Sequence, residues 1–425
     1  MIQRKYQFKD IAIILFFSKT AITNLLGYSG INKSLIAYGI LAVTYMFLGL
    51  SFISKNEKGA LHFDGIAVIA AVGAAFFLTY RNHPEYHKVF FERSDWAIFS
   101  NVFNFVSAPF AYYFIRCQKN INKLKDDFLI IAYLNFFGNC LGFMSSSNSA
   151  VSGNGESYNM LFGYQMALPA ILFLWFFLSD RKKTHYLILS IIGIAEGVFF
   201  GSRGCILGYA CFLIIYMLFI EKGFTKYKAA TIVISAFGAY ALISSRFKLF
   251  IYNMMIKFDI HSRTLKSLVE GDLTNDNGRD RIYEILRSSL EKAGLFRGYG
   301  VYGDRYLLDA TFYSHSLIYE ILISFGIFFG VILLLLMFSA LLCAFIKFRK
   351  KQNFGLLLAI SSFTICHLLF SYSLWYEQMF GAMIGLLVTF LTSKEYWDFS
   401  EKQAISIKIS EEDSEEILNI FGVTE

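Results

Sequence analysis

The sequence predicts an all-α polytopic membrane protein of about twelve transmembrane helices, with one large extracytoplasmic loop that contains short helices. Three observations predict it. Of 425 residues, 56% are hydrophobic and 18% aromatic, and only three are proline, a composition too apolar for the two or three soluble domains this length would otherwise suggest. The apolar residues gather into runs of about 20, the length that crosses ~30 Å of hydrocarbon. Between those runs the basic residues alternate, dense on one side and sparse on the other.

Twelve runs qualify: roughly 10 to 29, 35 to 54, 62 to 80, 96 to 115, 127 to 144, 159 to 178, 186 to 201, 204 to 220, 229 to 245, 326 to 346, 354 to 373 and 377 to 393. With a cytoplasmic amino terminus, the cytoplasmic connections carry nineteen basic residues, from Arg4, Lys5 and Lys9 through Arg116, Lys119 and Lys123 to Arg349, Lys350 and Lys351. The short connections on the other side hold five, namely Lys33, Arg81, Lys88, Arg93 and Arg203. Positive charge stays on the cytoplasmic side. The chain therefore divides into 1–245 with nine helices, an outer loop at 246–325, three more helices in 326–393, and an acidic cytoplasmic tail at 394–425.

The net charge of +7 sits mostly on those cytoplasmic anchors and implies contact with anionic lipid headgroups; no nucleic-acid module is present. The amino-terminal apolar run lacks a small-residue cleavage site and reads as the first helix rather than a signal peptide. Cys117, Cys140, Cys205, Cys211, Cys343 and Cys366 lie in or beside spans without close pairing, which favours packing residues over a zinc site or a disulfide framework.

Along the chain, Lys19 is the first chemical signal. A charge inside a span is a functional hypothesis by default, the alternative being a polar bundle interior. His83 and His87 have the spacing of a helical metal site, but Pro84 between them favours a solvated outer loop. Residues 145–158 are a flexible outer loop that either borders a sugar-binding groove or merely links. At 201–204 the turn Gly201-Ser202-Arg203-Gly204 is too short to solvate its arginine elsewhere, so it presents a guanidinium at the outer interface. Glu196, seven residues earlier on the same face, is placed to orient it; a snorkelling arginine is the alternative.

The stretch 277–330 is the long polar segment of the chain. Ile282, Ile285, Leu286 and Leu290 form one face of an amphipathic helix there. Gly298, Gly300 and Gly303 then interrupt it, and Ser314-His315-Ser316 opens a second apolar helix. The loop carries eleven basic residues, several of them simply solvated. An arginine offers two fixed parallel donors to a phosphate, and His315 is the histidine that follows the loop arginines, with either a proton-transfer role or a cap on the helix at Ser316.

Ser202-Arg203-Gly204 with Leu207, a large outer loop opening on Gly278-Arg279, a Gly-x-Gly turn, and His315-Ser316 followed after nine residues by Gly326 together resemble the O-antigen polymerase and O-antigen ligase superfamily over roughly residues 186–345. Phe329 and Gly330, and Arg297 within the glycine turn, depart from the pattern and leave polymerase and ligase both open. The resemblance implies glycosyl transfer, without metal, nucleotide or other cofactor, on the outer face of a bacterial inner membrane. The donor would be a polyprenyl-diphosphate-linked oligosaccharide, such as an undecaprenyl diphosphate. The product would be an O-antigen or capsule polysaccharide, or a glycan placed on lipid A core. It further implies membrane lipids and a polysaccharide chain-length regulator as partners. Arg203, Arg279 and His315 are then the expected catalytic residues, with Arg281, Arg305 and Glu196 binding substrate. A flippase or other transporter, using Lys19, Glu196 and His367, is the alternative of another class.

Overall fold

The structure, a computed structural model, describes residues 6–54, 62–91, 107–118, 120–146, 160–179, 183–200, 204–220, 229, 231–233, 235–236, 240, 244–257, 262–270, 279–309, 312–351 and 353–392. Among them the regular structure is helical, without a strand. The first group comprises α1 (Phe8–Phe17), α2 (Lys19–Gly27), α3 (Lys33–Ile53), α4 (Phe63–Asn82), α5 (His87–Phe91), α6 (Ser107–Cys117), α7 (Ile121–Ser146), α8 (Met160–Ser179), α9 (His185–Phe200) and α10 (Gly204–Ile215). The segment expected as a loop folds into α11 (Ser245–Lys257), α12 (Arg263–Glu270), α13 (Arg279–Ala293), α14 (Gly303–Leu307) and α15 (Leu317–Phe325). Then come α16 (Ile327–Phe348), α17 (Phe354–Phe370) and α18 (Gln378–Thr392).

Four of the described helices, α3, α4, α8 and α16, are long and apolar enough to cross a membrane, and α1 with α2 makes a fifth if a 71° bend between them is allowed within one span. Among the described residues, four or five of the twelve expected spans are thus found on length and composition. Helices α9, α17 and α18 are apolar but shorter, and only parts of the runs at 96 to 115 and 229 to 245 fall within the described residues. Apolar residues also fill a protein interior, so an apolar run does not by itself place a helix against lipid. Helix α8 is 89% buried over its apolar window, whereas α16 is only 11% buried and turns Leu333, Leu335 and Leu336 outward. An apolar face of that extent needs hydrocarbon against it.

Helix α8 forms the core, packed between α7, α9, α10 and α17, with Phe173, Leu174 and Trp175 fully covered. Elsewhere polar ties fix the helices. Arg116 on α6 donates from Nε to Asp64 on α4 at 2.7 Å and from Nη1 to Thr389 on α18 at 2.9 Å, so one guanidinium holds three elements in register. Helix α3 begins at Asn32, whose side chain accepts from the Ser34 and Leu35 amides that a helix start leaves without partners.

In the long polar segment, Leu286 and Leu290 of α13 are buried against Ile323 of α15, with Ile282 partly buried beside them. Ile285 is 38% exposed, against the expected face. Two short helices meet along one line, here the i, i+4 pair Leu286 and Leu290, and residue 285 lies about 100° round the helix from it. Of the cysteines, Cys117, Cys205 and Cys366 are buried, whereas Cys211 and Cys343 are exposed, Cys211 lying against Cys366.

Candidate active site

The site is assembled by a short backbone pairing. Tyr299 and Gly300 donate their amides to Ile323 and Ser324 at 2.7 and 3.1 Å, and Phe328 donates to Leu295 at 2.9 Å. A side chain at Gly298 would put its Cβ 2.4 Å from the Ser324 carbonyl, and Gly300 has φ +75°, so the close approach and the turn both require glycine there. Tyr86 closes the far side, donating its hydroxyl to the Tyr299 carbonyl at 2.8 Å, while Thr79 accepts the Val301 amide at 3.1 Å. The chain then enters α14 through Tyr302 in the left-handed region, which swings Asp304 and Arg305 inward.

Arg305 is only 2% exposed. Its guanidinium carbon lies 4.4, 4.9 and 5.5 Å from the ring centres of Tyr302, Tyr376 and Tyr313, and Nη1 lies 3.3 Å from Asp304 Oδ1 and 3.5 Å from Glu320 Oε1. It is therefore not one of the solvated loop arginines. Its Nε has no hydrogen-bond partner among the described residues. Burial opposes the charge on Arg305, yet Asp304, Tyr376 and Glu320 outweigh it and hold its pKa above the ordinary value. Burial also pushes the Glu320 carboxyl up to about 7, with Asp304 acting in the same direction and Arg305 against it. Glu320 accepts from the Ser373 hydroxyl and from the Leu374 amide at 2.7 Å, and Asp304 accepts from the Ser314 amide at 2.8 Å. One guanidinium thus gathers α14, α15 and the 371–377 segment around two carboxylates that would otherwise be buried without compensation.

His315 is held on the same scaffold, with φ +50°. Its Nδ1 lies 3.3 Å from the Ser371 carbonyl oxygen. A carbonyl can only accept, so Nδ1 carries the proton and Nε2 keeps its lone pair. Burial first, and then Arg279 and Arg305, lower the His315 pKa against the raising effects of the Ser371 bond and Asp304; the ring is neutral at pH 7. Tyr313, its ring centre 3.9 Å from that of His315 and tilted by 36°, donates its hydroxyl to the same Ser371 carbonyl at 2.5 Å, and burial raises that phenol to about 12. His315 does not cap α15: its ring turns to Ser371, and Ser316 stands at the N-cap position without a side-chain bond.

Arg279 opens α13, and its charge acts on both His315 and Tyr313, so the structure brings Arg279, Arg305 and His315 together. Arg281, two residues on, lies about 200° round the helix and is exposed. Glu196 on α9 accepts from Cys140 Sγ of α7 at 3.2 Å; Arg203, its expected partner, lies outside the described residues. The Ser262 hydroxyl bonds the Phe199 carbonyl, which returns the start of α12 to the chain just before Arg203.

Sequence reasoning missed Asp304, Glu320 and the 371–377 segment. Glu320 carried a signal, as the acidic residue in the apolar stretch LIYEILISF. The 371–377 segment also closes a second feature, a cavity of about 220 Å³ lined by Lys19, Asn139, Tyr164, His367, Tyr376 and Glu377 among others. There His367 is stacked between Tyr164 and Tyr372 with centroids 4.0 and 4.7 Å away, and its Nδ1 lies 2.6 Å from Glu377 Oε2.

Among the described residues the chain is thus helical, with several apolar helices that suggest a membrane protein, and its long polar segment gathers the buried Arg305 and the half-buried His315. Comparison with protein-family models, with characterised proteins and with solved structures returns no match.

Proposed function

We propose that the chain is a membrane glycosyltransferase that polymerises polyprenyl-diphosphate-linked oligosaccharide repeat units into a surface polysaccharide on the outer face of the inner membrane. The observation that carries this reading is the neutral His315, with Nδ1 donating to Ser371 and Nε2 available, in the field of Arg279 and Arg305. The acceptor sugar hydroxyl gives its proton to Nε2 as its oxygen attacks the anomeric carbon, and the bond from that carbon to the diphosphate breaks. The diphosphate leaves carrying the electron pair, and Arg279 with Arg203 meets the growing charge. A positioned base of this kind contributes roughly 10² to 10⁴ in rate.

The twelve-span topology with cytoplasmic termini belongs to the same proposal and rests on the distribution of basic residues. Transfer to lipid A core by the same chemistry is the ligase form. The bend between α1 and α2 at Lys19 favours one other reading, a transporter of lipid-linked oligosaccharide. Purified protein incubated with a lipid-diphosphate repeat unit alone separates the three. A ladder of longer lipid-linked products supports polymerase, products formed only after lipid A core is added support ligase, and movement of labelled lipid across a vesicle bilayer without new bonds supports transport.

A further inference from the structure

The cavity at the break between α1 and α2 contains an unusual set of polar groups. Helix α1 ends with the Ser18 amide bonded to Ile14. The chain then turns by 71° and α2 restarts at Lys19. A helix start leaves its first amides without intrahelical acceptors and carries a partial positive charge. Lys19 and Thr20, the first two residues of α2, line the cavity. Among the described residues no carboxylate pairs with the Lys19 ammonium. Glu377 is engaged elsewhere, with His367 on Oε2 and the Met379 amide on Oε1.

A second, independent observation comes from α7. Asn139 is 4% exposed and lines the same cavity. Its amide donates to the Gln165 carbonyl at 3.2 Å, which leaves Oδ1 buried with no partner. An unmatched buried acceptor costs about 1–3 kcal/mol, so a ligand that fills it must bring a donor. The lining therefore combines a cation and helix amides from α2 with an acceptor from α7. It suits a molecule with an anionic group and a neighbouring hydroxyl. At about 220 Å³ it lies below the ~300 to 1,000 Å³ of drug-sized sites, room for one ring and its phosphate rather than an oligosaccharide.

We propose that this cavity binds a glycosyl phosphate, with the Lys19 ammonium and the first amides of α2 on the phosphate and Asn139 Oδ1 accepting a sugar hydroxyl. Choosing a sugar phosphate among hydroxylated anions rests on the glycosyl-transfer reading. Position supports that choice. Tyr376 lines the cavity and its ring also lies 4.9 Å from the Arg305 guanidinium, while Ser371 in the same segment holds His315. The cavity and the arginine–histidine cluster are thus two sides of one seven-residue segment, 371–377. The chemistry is the same for a water-soluble sugar phosphate and for a lipid-linked one that arrives from the bilayer.

Full-length protein in lipid nanodiscs, titrated by native mass spectrometry, tests this. The probes are inorganic pyrophosphate, glucose 1-phosphate, and polyprenyl-phosphate glucose incorporated into the disc. Wild type is expected to bind pyrophosphate and at least one of the glucosyl probes; the glucosyl probe that binds identifies the soluble or the lipid source. Lys19→Met should weaken binding at least tenfold, Lys19→Arg should keep most of it, and Asn139→Leu should weaken the glucosyl probes but not pyrophosphate. Folding of each variant is read from its melting curve. Absence of binding by all three probes to folded wild type, or equal binding by folded Lys19→Met, overturns the proposal. Lys19-dependent binding in a protein that forms no product ladder retires the polymerase reading and leaves the site standing. A ladder formed by a protein whose binding ignores Lys19 does the reverse.

Discussion

Replacing His315 with glycine separates its chemistry from its structural role. The substitution removes one hydrogen bond to the Ser371 carbonyl, worth about 1 kcal/mol, but that carbonyl keeps the Tyr313 hydroxyl at 2.5 Å and is not orphaned. Position 315 has φ +50°, a region that costs an ordinary residue roughly 1–2 kcal/mol and glycine almost nothing. These effects oppose each other, so His315→Gly should unfold within about 1–2 kcal/mol of wild type. The rate should behave differently. Loss of a positioned base costs roughly 10² to 10⁴, or about 3–5 kcal/mol of barrier. Single-turnover conversion of a lipid-diphosphate repeat unit, with product resolved as a ladder and folding followed by thermal melt, reads both quantities. The pH profile gives a second check. His315 must be neutral to act, and its pKa is depressed by burial, so wild-type rate should be flat above about pH 6.5 and fall only below it. That acidic limb should be missing in His315→Gly, and added imidazole should restore part of the rate. A folded His315→Gly that turns over within about threefold of wild type would falsify the general-base role.

Three further outcomes are expected. Arg279→Lys and Arg203→Lys keep the charge but lose the parallel donors, so each should slow turnover on the order of a hundredfold; normal turnover in a folded lysine variant removes that arginine from the donor site. Glu320 has a raised folded pKa, so its contribution to stability is present below the ordinary carboxylate range and lost as pH rises through about 7. Glu320→Gln should flatten that part of the stability profile in chemical-denaturation melts at pH 5 and 8, and an unchanged slope would mean that Glu320 is already ionised at the lower pH. Lastly, a cysteine placed at Asn275 should react with a thiol probe that cannot cross the membrane in intact cells, whereas labelling only after permeabilisation reverses the orientation.

Much of the site was legible in the sequence because the loop combines residue types that a bilayer does not need. His315, Arg279 and the glycine turn are conspicuous against apolar surroundings. Arg281 and Arg305 look alike there, and only folding separates them. A two-residue step round α13 puts Arg281 outside, while the left-handed Tyr302 turns Arg305 into a tyrosine cage. Ser371, Ser373 and Tyr376 gave no warning, since serines and tyrosines between two apolar runs are ordinary interface residues.

The sequence by itself determined the helical class, because apolar runs of about 20 residues match a membrane-spanning helix rather than the ~9–11-residue alternating strands of a barrel. It also singled out the long polar segment on which Asp304, Arg305 and His315 are brought together. Only the tertiary structure decided how many runs face outward, since burial in α8 and exposure in α16 depend on neighbours that hydropathy does not see. It alone decided the state of His315 as well. The tautomer comes from a carbonyl 56 residues away, and the lowered pKa comes from burial first and then from Arg279 and Arg305 on other elements; such long-range contacts have no local signature in a chain.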